Sequence, residues 1–205
     1  MIDSHQQLGI IEALEQQPIA VREQIVEVSV DMWGGFPKVV ETVFPNAILV
    51  IDRFHVMQAA NKELNKIRRQ VRVFDRGSKF LLLRNGADLT EAERQALEQI
   101  LQRSQRLRKA YESKEELRTI YESPLTVETG KRHLEEWLNR AQKIFSEVTT
   151  TIRNHLDGIC NYFRTRTTSG AMEGINNRIK LIKRQAYGFV NFGNFRKRLL
   201  ACFSY

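Results

Sequence analysis

The chain has 205 residues, enough for one core or for one core with an inserted subdomain, and its 42% hydrophobic and 27% charged residues are ordinary for a soluble globular protein. Its net charge of +8 comes from clusters at Arg68-Arg69, Arg103 to Lys109, Lys180 to Arg184 and Arg196 to Arg198, which read either as the footprint of a polyanion or as solvated basic helix faces. No run approaches the roughly 20 apolar residues of a membrane span. Met1 to Gln17 does not read as a signal peptide, and Cys160 and Cys202 lack disulfide or zinc-site spacing, so membrane, disulfide-framework and zinc classes are excluded and a cytoplasmic setting is expected.

Residues 4 to 16 read as a helix with Ser4 as N-cap and Leu8, Ile11 and Leu14 on one face, and Pro18 ends it. Two β-branched runs follow, Ile25 to Val30 and Ala47 to Ile51, each closed by an aspartate, Asp31 and Asp52. Between them Phe36, Val39, Val40, Val43 and Phe44 recur at helical spacing, so the stretch is a βαβ unit. Its two strands run the same way, and α/β sheets bind ligands outside the carboxyl ends of such strands. Asp31 and Asp52 are therefore placed on one rim, where a hard cation such as Mg²⁺ suits one or two carboxylates and phosphate oxygens. The plainer reading is that each aspartate caps the element after it. The pair together, with His55 three residues past Asp52, favours chemistry. A parallel sheet of two strands leaves faces and edges uncovered, so further strands are expected on the N-terminal side or from another chain.

After Asp52 the pattern turns helical. Val56, Ala59, Ala60, Leu64, Ile67 and Val71 hold one face of a long helix that Asp75 to Ser78 breaks. Phe80 to Leu83 suits a strand or a helical turn equally. Thr90 and Glu93 form a capping box that starts a helix to about Gln102. Further helices are expected over Gln105 to Tyr121, from Thr126 to about Phe145 with Leu134, Trp137, Leu138, Ala141 and Ile144 inward, and from Glu147 to Phe163. Residues 56–163 thus read as an all-helical block.

In the last segment, Ser169-Gly170 is a turn that starts a helix with Ile175, Ile179 and Ile182 on its apolar face and Glu173 in its first turn. A glutamate there is favoured by the helix dipole alone. Asn176, Asn177, Arg178, Lys180, Lys183 and Arg184 fill the other face, and amides with cations suit contacts to a phosphate backbone.

The blocks VSVDMWGGF…VFPNAILVIDRFHV and SGAMEGINNRIKLIKRQAYGFVNFGNFRKRLL resemble the catalytic domain of bacterial insertion-sequence transposases of the ISL-three type, a DDE group with an RNase H-like fold. The resemblance covers nearly the whole chain. It implies an α/β, mostly helical fold, with a partial RNase H-like parallel βαβ core in residues 1–55, an all-helical insertion in 56–163, and C-terminal helices in 164–205 that complete the core and carry the last catalytic carboxylate. It also implies metal-dependent DNA strand cleavage and transfer, with carboxylates holding two divalent cations, Mg²⁺ or Mn²⁺. Glu173 matches the family's terminal glutamate. Asp31 is expected as the other metal ligand, with Asp52 and His55 as an accessory pair; Asp52 as the ligand stays open. Arg53, Arg166, Asn176, Asn177, Arg178, Lys180, Lys183, Arg184, Arg196 and Lys197 are expected to contact DNA. The resemblance places the first carboxylate on a central strand upstream of the opening helix, where only Asp3 is available and lies at a helix start. The expectation is therefore an N-terminally truncated copy, inactive alone. Its partners would be transposon-end and target DNA, and itself or a full-length transposase, with no membrane. A non-catalytic DNA-binding fragment, or a modulator of the full-length enzyme, is the alternative.

Overall fold

Strand β1 (Glu27–Val30) and strand β2 (Ile48–Ile51) pair as a small parallel sheet, and the Asp52 N–H continues the ladder by donating to the Val30 carbonyl at 3.0 Å. The structure is a computed structural model that describes residues 2, 6–167 and 170–203, apart from the side chains of 171–173. Among the described residues all other elements are helical, so the expected mostly helical α/β class is present. Before and between the strands lie α1 (Gln7–Glu15), α2 (Ile19–Arg22) and α3 (Phe36–Val43). After β2 come α4 (Arg53–Gln70), α5 (Ser78–Leu83), α6 (Glu91–Gln102), α7 (Gln105–Glu122) and α8 (Val127–Ala141). The chain continues through α9 (Ser146–Asn154), α10 (Leu156–Cys160), α11 (Tyr162–Thr165), α12 (Gly170–Gln185) and α13 (Phe192–Phe203).

The chain divides into two compact units, Met1–Val28 with Gly34–Ala47 and Thr168–Tyr205, and Ser29–Trp33 with Ile48–Thr167. In the first, α1 packs on α3 through Ile11, Val39 and Val43, flanked by Ile10, Leu14 and Phe44. Pro37 fits the first turn of α3, where its missing N–H has no helical partner to lose. Arg22 locks the end of this helix by donating to the Val43 carbonyl at 2.9 Å. The expected cap Ser4 lies outside the described residues, and α1 starts after Gln6. Helices α12 and α13 pack together: Ile182 and Leu199 are buried, and Arg178 donates to the Cys202 carbonyl with its guanidinium over the Phe203 ring. Of the expected apolar face of α12, Ile182 is buried and Ile175 is exposed; Ser169, the expected start, lies outside the described residues.

In the second unit, α4 carries Val56, Ala60, Leu64 and Ile67 into one core with α5, α7 and α9, and α8 closes it against α7. Trp137 is fully buried, and its indole N–H donates to the Ser113 carbonyl at 2.8 Å, as a buried indole must find an acceptor. Lys114 is 0% exposed, donates to the Leu82 and Arg84 carbonyls at 3.1 and 2.9 Å and pairs with Glu115; burial pulls its pKa down. The Thr90–Glu93 capping box forms as expected, and Thr126 with Thr129 forms another.

One open expectation is resolved and two need correction. Phe80 to Leu83, open between strand and helix, is helical within α5, its C-terminal carbonyls at Leu82 and Arg84 held by Lys114. The helix after Thr126 stops at Ala141, and Phe145 beyond it is buried. The expected helix from Glu147 to Phe163 is three short helices. The hydroxyls of Thr149, Thr150 and Thr151 bond back to the Phe145, Ser146 and Glu147 carbonyls at 2.6, 2.9 and 3.0 Å, a pattern that bends helices. The chain then turns at His155 and lays Gly158 against Ile51 and Leu49 of β2, while Asn161 Nδ2 donates to the Leu49 carbonyl at 2.8 Å. A Cβ at residue 158 would lie 3.0 Å from Ile51 Cγ1, a tight contact that asks the isoleucine side chain to give by a few tenths of an ångström.

A candidate acidic cleft at the end of the first strand

Asp31 follows the last residue of β1, and its Oδ1 accepts the Trp33 N–H at 2.8 Å. This Asx turn closes the strand and fixes the carboxylate at its carboxyl end. Asp52 follows β2 in the same way, but its Oδ1 accepts the Phe54 N–H at 3.0 Å and so caps α4. His55 then sits in the first turn of that helix, its ring edge-on to Phe54 at 5.4 Å.

Side-chain burial separates the two aspartates. Asp31 is half-buried and lines a shallow cleft of about 320 Å³ with Met32, Trp33, His55, Gln58, Ala59 and Lys62. Asp52 is 1% exposed and does not line it. Among the described residues its Oδ2 has no hydrogen-bond partner and lies buried, as does the Tyr121 hydroxyl, whose pKa burial raises well above the ordinary value, with the Asp52 charge a smaller contributor. Arg53 is half-buried with its guanidinium 5.9 Å from the centre of the Tyr162 ring.

The structure therefore brings Asp31 and His55 to one cleft and leaves Asp52 in the cap beneath. Glu173 belongs to α12, and its side chain lies outside the described residues, as does Asp3. Among the expected DNA contacts, Asn176, Asn177, Lys180, Lys183, Arg184, Arg196 and Lys197 are exposed. Arg178 is used in tying α12 to α13. Arg166 is half-buried, takes the left-handed conformation (φ +56°) that ends α11, and donates to the Ser123 carbonyl.

The chemistry of the donor set fits a hard cation in part. Asp31 offers a carboxylate at an open rim, and such ions accept one or two carboxylates together with water and phosphate oxygens. Among the described residues no group of three histidine, cysteine or acidic side chains is gathered that could hold a metal. Sequence reasoning missed Gln58 and Lys62 as cleft residues. Their signal was spacing, since His55, Gln58, Ala59 and Lys62 fall at i, i+3, i+4 and i+7 on one helix face.

A family model described as Transposase, of the DDE ISL3 type, matches residues 2–199. The transposase for insertion sequence element IS1001 of Bordetella parapertussis is 29% identical over 206 residues, covering 92% of this chain and 50% of that protein. The transposase for insertion sequence element IS1557 of Mycobacterium tuberculosis is 29% identical over 201 residues, covering 81% of this chain and 45% of that protein. The chain spans about half the length of the curated relatives it matches. No solved structure matches. Among the described residues no helix is long and apolar enough to cross a membrane.

Proposed function

We propose, from the premise that this chain belongs to the DDE ISL3-type transposase family, that it serves DNA transposition by metal-dependent cleavage and transfer of DNA strands, with the Asp31 cleft as part of the catalytic site. The observation that carries this reading is the sharing of one open cleft, at the carboxyl end of β1, by Asp31 and His55. On this reading the βαβ unit is part of an RNase H-like core, residues 56–163 are a helical insertion, and residues 164–205 carry the family's terminal carboxylate, Glu173.

Each residue then has a defined task. Asp31, held by the Trp33 N–H, and, by the resemblance, Glu173 would be the carboxylates for Mg²⁺ or Mn²⁺; such a cation would supply charge neutralisation at a phosphodiester. Asp52 caps α4 and thereby sets the position of His55, which lines the cleft and could there orient a phosphate. Lys62, two turns along α4, adds a positive charge to the same wall. The exposed amides and cations of α12 and α13 contact the DNA backbone. The family pattern asks for three carboxylates, and the resemblance assigns two of them here, so the 205 residues by themselves are expected to bind DNA and not to cut it.

Binding of Mn²⁺, followed by loss of its free paramagnetic signal, tests this directly. The reading expects weak Mn²⁺ binding that Asp31→Asn and Glu173→Gln each abolish and that Asp52→Asn leaves in place. Unchanged binding in Asp31→Asn would overturn the assignment, and robust DNA cleavage by this chain alone would overturn the two-carboxylate reading. If DNA binding alone is found, and it survives both substitutions, the chain is a non-catalytic DNA-binding protein.

A further inference from the structure

Helix α4 carries a second cleft that adjoins the acidic one. It encloses about 700 Å³ between α4 and α9, and Ala59 and Lys62 line both clefts. Beyond Lys62 the α4 wall continues through Lys66, Arg69 and Gln70, and the far end is walled by Phe74, a 65% exposed aromatic just past the helix. Trp33, 39% exposed, lines the adjoining acidic cleft and not this one. Lys62, Lys66, Arg69 and Gln70 are all exposed, although they face the space between two helices.

The charges in this groove are not equivalent. Glu63 is buried and spends its Oε2 on the Val148 N–H at 3.0 Å, while Glu147 pairs with Lys66. The Lys62 and Arg69 side chains form no hydrogen bond or salt bridge among the described residues, although, after the bond from Lys66, the Lys62 charge helps to hold the Glu147 carboxyl below its ordinary value. These two cations without a side-chain bond lie about 10 Å apart along the helix, at 1.5 Å rise per residue, and each of the adjoining clefts carries an exposed aromatic ring, Trp33 in one and Phe74 in the other. Cations that track a backbone, with aromatic rings on which unpaired bases stack, are the arrangement of single-strand binding surfaces.

We infer that the α4 groove is a track for single-stranded DNA leading out of the acidic cleft, with its phosphates on Lys62 and Arg69 and unpaired bases stacked on Phe74 and Trp33. The inference rests on the transposase reading for its choice of DNA as the polyanion. Its geometric content is separate: a strand entering the Asp31 cleft leaves along α4, and it must be unpaired for its bases to reach the aromatic rings. From His55 to Gln70 the wall is about 22 Å long, room for a few nucleotides.

The test uses the full chain, with no metal added, and labelled oligothymidine as the probe, alone and paired with oligoadenine. Fluorescence anisotropy is expected to show tighter binding of the single strand. Lys62→Gln with Arg69→Gln should lower the slope of log K against log salt by roughly 1.4, at about 0.7 per single-strand phosphate contact. Phe74→Ala should weaken the single strand roughly tenfold and leave the duplex unchanged. All three side chains are exposed, so folding is not at stake; Arg106→Gln with Lys109→Gln on α7, also exposed, serves as the basic-surface control and should not alter the preference for single strands. Tighter duplex binding, or groove variants that bind as the parent does, would overturn the inference. Failure here while Mn²⁺ binding at Asp31 persists refutes the track alone, whereas groove-dependent binding without Mn²⁺ binding refutes the catalytic reading alone.

Discussion

Glu63 on α4 caps a helix 85 residues away: its Oε2 accepts the Val148 N–H, in the first turn of α9, at 3.0 Å. No side chain at Phe145, the residue before α9, makes that bond. The carboxylate is buried, so it joins two helices where a water cannot easily replace it.

Glu63→Ala is therefore expected to cost about 1 to 3 kcal/mol, because a buried N–H loses its acceptor. Glu63→Gln keeps an amide oxygen in place and should recover most of the loss. Urea midpoints at constant slope would measure both, and an unaffected Glu63→Ala protein would show the bond to be dispensable.

Gly130→Ala should destabilise despite the better helix propensity of alanine. A Cβ at this position in α8 would lie less than 3.0 Å from three carbons of the Phe163 ring, which stacks on Tyr121. Overpacking of a filled core costs about 1 to 3 kcal/mol, against a propensity gain of about 1 kcal/mol. Thermal unfolding should show a lower midpoint; a higher one would mean that the ring moves freely.

Asp52 offers a separation of cap from chemistry. Asp52→Asn preserves a side-chain oxygen for the Phe54 N–H and should be close to the parent in stability, whereas Asp52→Ala should lose about 1 kcal/mol. Chemical denaturation decides this, and equal losses in the two variants would point to the buried Oδ2 as the atom that matters.

Alkaline pH should weaken the fold. Burial raises the Tyr111 hydroxyl to about 12 and the Cys160 thiol to about 11, and it raises Tyr121 as well. The unfolded chain ionises these groups near their ordinary values of 9.0 for the thiol and 10.0 for the phenols, before the folded chain does. Protons are then released on unfolding, and stability falls as pH rises from about 9 toward 12. Lys114 acts oppositely, since its depressed pKa favours folding as pH climbs toward 10.5. The share of phenolate absorbance that Tyr111 and Tyr121 contribute should rise together with the loss of circular dichroism, not before it.

Local signals were legible because they are local. The Thr90–Glu93 capping box, the βαβ order around Asp31 and Asp52, and the apolar face Val56, Ala60, Leu64 and Ile67 each depend on bonds or spacings within a few residues. The family resemblance was also a property of the residues in order, and the match over residues 2–199 bears it out. Tertiary structure decided what periodicity leaves degenerate. Phe80 to Leu83 became helical in company with Lys114 from α7, and residues 147–163 broke into three helices as Gly158 and Asn161 met β2. The two strand-end aspartates look alike in sequence; burial alone, set by the distant packing of α4, left Asp31 facing an open cleft and Asp52 beneath a helix end, because exposure is fixed by contacts between residues far apart in the chain.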